Sequence, residues 1–203
     1  MTKHIMLICA VLGVVFTGIG LFFSQKNEIN AALYQKEFLT GKWSTDANNI
    51  INSGDLGLDK PQPLVTIQLV VDDDGSIDGE IISEGLCDAM PITWNITLNS
   101  DSPSYTNFVL ARKFHVRQLV NGSMDKSPVV ATLKLATEDH KHNSITFNVI
   151  GDSTGTLPKQ LTVAKNLPMF EENYEFLQNY CANSTQHFYE KIMPEIRKLK
   201  DKP

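Results

Sequence analysis

Arg112, Lys113, His115 and Arg117 gather positive charge on one short run of a chain whose 18 Lys and Arg are outnumbered by 23 Asp and Glu. Side chains alternate faces along a strand, so Lys113, His115 and Arg117 stand together, opposite Phe114 and Val116. Such a face could dock an anionic ligand or partner. The alternative is a solvent-facing strand whose charges meet acidic neighbours on the adjoining strands. Asp139-His140-Lys141-His142 offers two imidazoles two residues apart, which a strand would place on one face. Two ligands do not make a metal site, and no Cys-x-x-Cys or His-Glu-x-x-His element supplies more. A solvated loop is expected there, with no metal and no cofactor.

Two other segments carry reactive residue types. Gly151-Asp152-Ser153-Thr154-Gly155 resembles the Gly-Asp-Ser-Gly-Gly nucleophile loop of chymotrypsin-like proteases. No residues match that family's histidine-bearing loop, Thr154 stands where a glycine is needed, and the chain is too short for two barrels and a cleft. A turn between strands explains the same residues, so a hydrolase ranks third among the functional readings and no catalytic residue is assigned. Asp72-Asp73-Asp74-Gly75 through Glu80 hints at a calcium loop, but placing Gly75 at the EF-hand's sixth position puts Val70 and Ile81 at ligand positions. An acidic hairpin turn with Gly75 at positive φ is the expectation. The net charge of −5, with no basic stripe, gives nucleic-acid binding no electrostatic support.

The elements that would position these residues are mostly strands. Val65, Ile67, Leu69 and Val71 alternate with more polar neighbours, as do Ile92, Trp94, Ile96 and Leu98. Further runs of the same kind cover 42–45, 75–84, 107–120, 129–137, 144–150 and 160–164, making eight strands in all. The separators are short and turn-rich, which predicts an antiparallel meander because parallel neighbours need long crossovers. From Phe170 the period changes: Phe170, Tyr174, Leu177, Cys181, Ser184, Phe188 and Ile192 recur at steps of three and four, the pattern of an amphipathic helix. Pro168 suits its first turn, and Pro194 should kink or restart it.

At the other end, residues 5–23 contain no charged side chain, and at about 1.5 Å rise each they reach roughly 28 Å, the thickness of a bilayer core. Phe22, Phe23 and Ser24 suit a signal-peptidase site poorly, so an uncleaved transmembrane signal-anchor is expected. Lys3 and the terminal amine place residues 1–4 in the cytoplasm, and the rest outside. The resulting division is a short tail (1–4), an anchor (5–23), a juxtamembrane connection (24–40) with a short helix ending at Phe38 and Leu39, and an extracytoplasmic, periplasmic β-domain (41–203). Cys87 and Cys181, in an oxidising compartment, invite a disulfide closing a loop of about 95 residues; two buried thiols are the alternative.

Eight meandering strands followed by a helix, with Gly41-Lys42-Trp43 opening the first strand, resemble the lipocalin and calycin-like barrels. The resemblance implies that Trp43 plugs one end of the barrel and that Cys87 with Cys181 ties the C-terminal helix down. Lys159 and Lys165 are the candidates for the family's basic partner of the tryptophan, while the family's Thr-Asp-Tyr element is missing. A curved sheet or sandwich under the helix would give the same alternation.

The fold class is therefore mainly β: one N-terminal transmembrane helix, then an antiparallel barrel or curved sheet of about eight strands with a C-terminal amphipathic helix. The expected function is a non-catalytic binding module for a small apolar ligand or an envelope protein partner, held at the inner (plasma) membrane. A structural or assembly subunit of an envelope complex is the alternative. The candidate binding residues are Lys113, His115, Arg117, Trp94 and Phe108. If Trp43, Trp94, Phe108, Phe114 and Phe147 fill the space between the strands, no ligand fits inside.

Overall fold

The computed structural model describes residues 36–47, 53–58, 61–73, 75–91, 96–101, 112–119 and 127–194. The anchor segment 5–23, the tail before it, Trp94 and Phe108 lie outside these residues. Among the described residues, no helix is long and apolar enough to cross a membrane.

Eight strands form a closed antiparallel barrel in chain order: β1 (Gly41–Ser44), β2 (Val65–Val71), β3 (Ile77–Ser83), β4 (Ile96–Ser100), β5 (Lys113–Gln118), β6 (Val129–Asp139), β7 (Ser144–Asp152) and β8 (Gln160–Lys165). Closure runs through Trp43↔Lys165 and Ser44↔Ala164, where β8 returns to β1. An open curved sheet or a sandwich is thereby ruled out. Among the described strands, closure gives each one a partner on both sides, which removes the open edge through which β-domains aggregate.

Register places the apolar set inside. Ile67 faces Ile81, Leu98 faces Val116, Phe114 faces Leu133 and Phe147 faces Leu161. All eight of these side chains are 0 % exposed. A ligand-sized void would leave its lining open to a water-sized sphere, so around these residues the interior is packed solid. Phe114 and Phe147 meet edge to face, with ring centroids 5.3 Å apart, at the middle of that core. Register shifts in β6 between Thr132 and Leu133, and between Leu135 and Thr137, mark bulges that bend the strand around the barrel.

Among the described residues, three α-helices decorate the barrel: α1 (Lys36–Leu39), α2 (Glu84–Ala89) and α3 (Phe170–His187), the last continuing as a π-helical turn over Phe188–Ile192. Alternation predicts strand through Glu84, yet β3 ends at Ser83, whose hydroxyl accepts from the Leu86 amide and caps α2. Gly85 belongs there because a Cβ would lie 2.8 Å from Thr156. Pro168 precedes α3 rather than sitting in its first turn, the helix starting at Phe170 after the cap residue Met169. The run 107–120 is strand only over Lys113–Gln118 among the described residues. Arg112, the fourth cation of the run and on the side of Phe114 and Val116, is buried, and its guanidinium donates to the Gly75 carbonyl at 2.7 Å.

Cys87 and Cys181 are bonded, with Cα atoms 5.1 Å apart, within the ordinary range for a disulfide. The bond joins α2 to α3. Gly75 has φ +85°, and its amide closes the Asp72 turn at 2.9 Å, as a hairpin turn requires.

Candidate functional site

On the outer face of β5, Lys113, His115 and Arg117 project together while Phe114 and Val116 are sealed inside. Their surroundings are mixed. His115 Nε2 lies 2.7 Å from Asp101 Oδ1, and Arg117 donates to the Ser127 carbonyl at 2.9 Å. Lys113 stands opposite Lys134 on β6, a like-charge pair that disfavours the sheet locally unless an anion sits nearby. The three residues named from sequence are thus brought together, with His115 and Arg117 engaged by neighbours on the same sheet wall.

A second cluster closes the barrel end next to α1. Trp43 is fully buried, and its indole N–H donates to the Leu39 carbonyl at 3.0 Å. Phe38 meets the indole edge-on at 5.6 Å. Of the two lysines considered as the tryptophan's basic partner, Lys165 takes the position, with Nζ 5.5 Å from the Trp43 ring, 5.9 Å from the Phe38 ring, and donating to the Phe38 carbonyl at 2.9 Å. Burial pushes the Lys165 ammonium below its usual pKa. The Gly-x-Trp spacing has a local reason. Gly41 has φ +143°, and a Cβ there would lie 2.6 Å from Lys165 Cε.

The histidine pair does not lie along a strand. Residues 140–143 form the β6–β7 turn, where His140 stacks on Phe38 with centroids 3.8 Å apart while His142 Nδ1 pairs with Asp139 at 2.7 Å. The His142 hydrogen bonds hold the Asp139 carboxyl below its usual pKa. Among the described residues, no group of three or more His, Cys, Asp or Glu could hold a metal ion.

The Gly-Asp-Ser-Thr-Gly segment is a self-bonded turn. The Ser153 hydroxyl donates to the Val130 carbonyl at 2.8 Å, so its proton is committed to main chain rather than to a base. Asp152 accepts from the amides of Thr154 and Leu157, both at 2.8 Å, and from the Thr154 hydroxyl. Partial burial raises the Asp152 pKa, and those hydrogen bonds outweigh it to leave the carboxyl below its ordinary value.

Sequence reasoning did not single out the concavity between α2 and the end of α3. It is a groove of about 490 Å³ lined by residues that include Asp88, Pro91, Tyr180, Ser184, Phe188 and Ile192. Asp88 lies at its edge and accepts from the Tyr180 hydroxyl at 2.8 Å and the Ser184 hydroxyl at 2.7 Å. A signal for it exists in the helical repeat, since Ser184, Phe188 and Ile192 continue the stripe that begins at Phe170. What no repeat can show is where the barrel ends beneath it. No family model, no curated protein and no solved structure matches this chain.

Proposed function

We propose that this chain is a non-catalytic binding module, a lipocalin-like barrel tethered by residues 5–23 to the outer face of the inner (plasma) membrane, whose partner is a protein bound on the outside of the barrel. The observation that carries this reading is the filled interior: Trp43, Phe114, Phe147 and their neighbours occupy the space in which barrels of this kind hold apolar ligands. The Cys87–Cys181 bond supports an oxidising, extracytoplasmic setting. The Ser153 hydrogen bond to main chain gives the hydrolase reading no support. Tethering a rigid barrel through the short α1 would also suit an assembly subunit, and the two readings share the same requirement for a surface-bound protein.

The test uses the full-length chain in lipid nanodiscs, titrated with an environment-sensitive apolar dye and then with a long-chain fatty acid. No saturable, competitive binding is expected, whereas isolation from cross-linked membranes should yield a stoichiometric complex with another envelope protein. Saturable one-to-one displacement that also changes Trp43 fluorescence would return the function to the barrel interior.

A further inference from the structure

The apolar stripe of α3 outruns the barrel it packs on. Phe170 and Leu177 are buried against the barrel, while Tyr174 and Cys181 are partly covered. Two and three turns later the same stripe presents Phe188 and Ile192 to the groove beside α2, and Ile192 is 40 % exposed. Among the described side chains of α2 and α3, the carboxylates outnumber the bases, and Lys191 is the first Lys or Arg of α3 and its π-helical continuation. From Ile77 to Pro91 and from Phe170 to Glu190 the chain contains no Lys or Arg. Asp88 accepts from the Tyr180 hydroxyl at 2.8 Å and holds its proton more tightly than usual, and Glu84 stands one turn before Asp88 on α2. His187 is the one base among the described lining residues.

We infer that this groove seats a basic amphipathic helix of a protein partner, with apolar side chains on Tyr180, Phe188 and Ile192 and flanking Lys or Arg facing Glu84 and Asp88. The inference deepens the binding function proposed above and rests on it. Charge complementarity selects the partner's sign: an acidic segment would bring like charges to Glu84 and Asp88, at a penalty wherever water is excluded. Topology selects its form, because a closed barrel offers no strand edge for an extended peptide to join, leaving the groove between helices as the seat. The volume lies in the range that receives anchoring side chains.

The experiment measures fluorescence anisotropy of a labelled 16-residue Ala/Lys helix carrying Leu at two positions four apart, titrated with the full-length chain in zwitterionic nanodiscs, with empty nanodiscs subtracted. Saturable binding is expected, and an Ala/Glu counterpart should not bind. Ile192→Glu should weaken binding at least fivefold although it adds a negative charge, Glu84→Lys should weaken it similarly, and Ile150→Glu on β7 should change nothing. Equal or tighter binding by Ile192→Glu would overturn the proposal, since charge alone would then attract the peptide. A tenfold gain on deleting residues 195–203 would overturn it too, making the chain's own Arg197, Lys198, Lys200 and Lys202 the occupant. If the peptide fails to bind while the envelope complex is still isolated from cross-linked membranes, the groove is wrong and the binding function stands.

Discussion

Inside the barrel, Trp43, Phe114 and Phe147 are fully buried among close-packed apolar neighbours, with a single hydrogen bond, from the Trp43 indole to the Leu39 carbonyl, added to that packing. Along α3 only Phe170 and Leu177 are buried, and the rest of the helix is fastened by separate points. Lys42 pairs with Glu171, Asn173 donates to Asp46, Tyr174 to Glu80, Tyr180 and Ser184 to Asp88, and Cys181 is bonded to Cys87. Packing is cooperative, so a hole anywhere in the barrel is felt throughout. Point fastenings fail one at a time, so the helix can loosen locally while the barrel stays packed.

The largest expected effect comes from opening the packed region. Trp43→Ala removes the end plug, its hydrogen bond to Leu39 and the surface that Lys165 covers, and should destabilise the barrel by about 3–5 kcal/mol. Chemical denaturation followed by far-ultraviolet circular dichroism would measure it as a fall in midpoint. A loss below 1 kcal/mol would mean that the barrel end relaxes around the gap and is not packed as described.

Cutting the strongest fastening should act differently. Cys181→Ser removes a long-range cross-link and is expected to lower global stability by about 2–4 kcal/mol in the chain-entropy account. Its local signature separates the two regions: amide exchange should accelerate in α3 beyond Leu177 and in α2, while the amides of β2, β3, β5 and β6 stay ordered relative to one another. Uniform acceleration across barrel and helix would erase the distinction drawn between them.

Most of the barrel was legible in the alternation because each strand has one buried face, and a period of two then states both the element and its orientation. Val65 to Val71 and Lys113 to Gln118 are cases where every expected inward residue is buried. The antiparallel order followed from short turns, and Gly41-Lys42-Trp43 pointed to a tryptophan that the structure buries completely. Three things were not legible. The helix α2 hides because Gly85 is a poor helix former, and its reason for being there is contact with Thr156, more than seventy positions away. Lys165 and Lys159 differ only in which reaches Trp43 once β8 has closed on β1, a tertiary fact. Arg112 falls by alternation on the side of Phe114 and Val116, but its partner was not legible, because only the turn at Gly75 gives its guanidinium a carbonyl.

The two lysines give the next measurement. Lys165→Met keeps the stem that covers Trp43 and loses the hydrogen bond to Phe38 and the charge over the rings, an expected cost of about 1 kcal/mol. Lys159→Met, at an exposed position, should stay within about 0.5 kcal/mol of the parent. Equal effects from the two would remove Lys165 from the plug.

Tyr174 gives the smallest effect and the one most specific to the helix. Burial first, then the hydrogen bond and negative charge of Glu80, push its hydroxyl up to about 12 from an ordinary 10. The folded state therefore holds the Tyr174 proton more tightly than the unfolded state does. The associated stability is fully present below pH 10, and it is lost as pH rises through the folded value near 12. Solvent reaches this pair, so screening reduces the contribution to about 1 kcal/mol. Between pH 10 and 12 the amides of α3 near Tyr174 should lose protection before those of β3, and Tyr174→Phe should flatten that pH dependence while lowering stability at neutral pH only slightly. If barrel and helix instead lose protection together over that interval, Tyr174 fastens nothing that the barrel does not already hold, and the helix is packed rather than pinned.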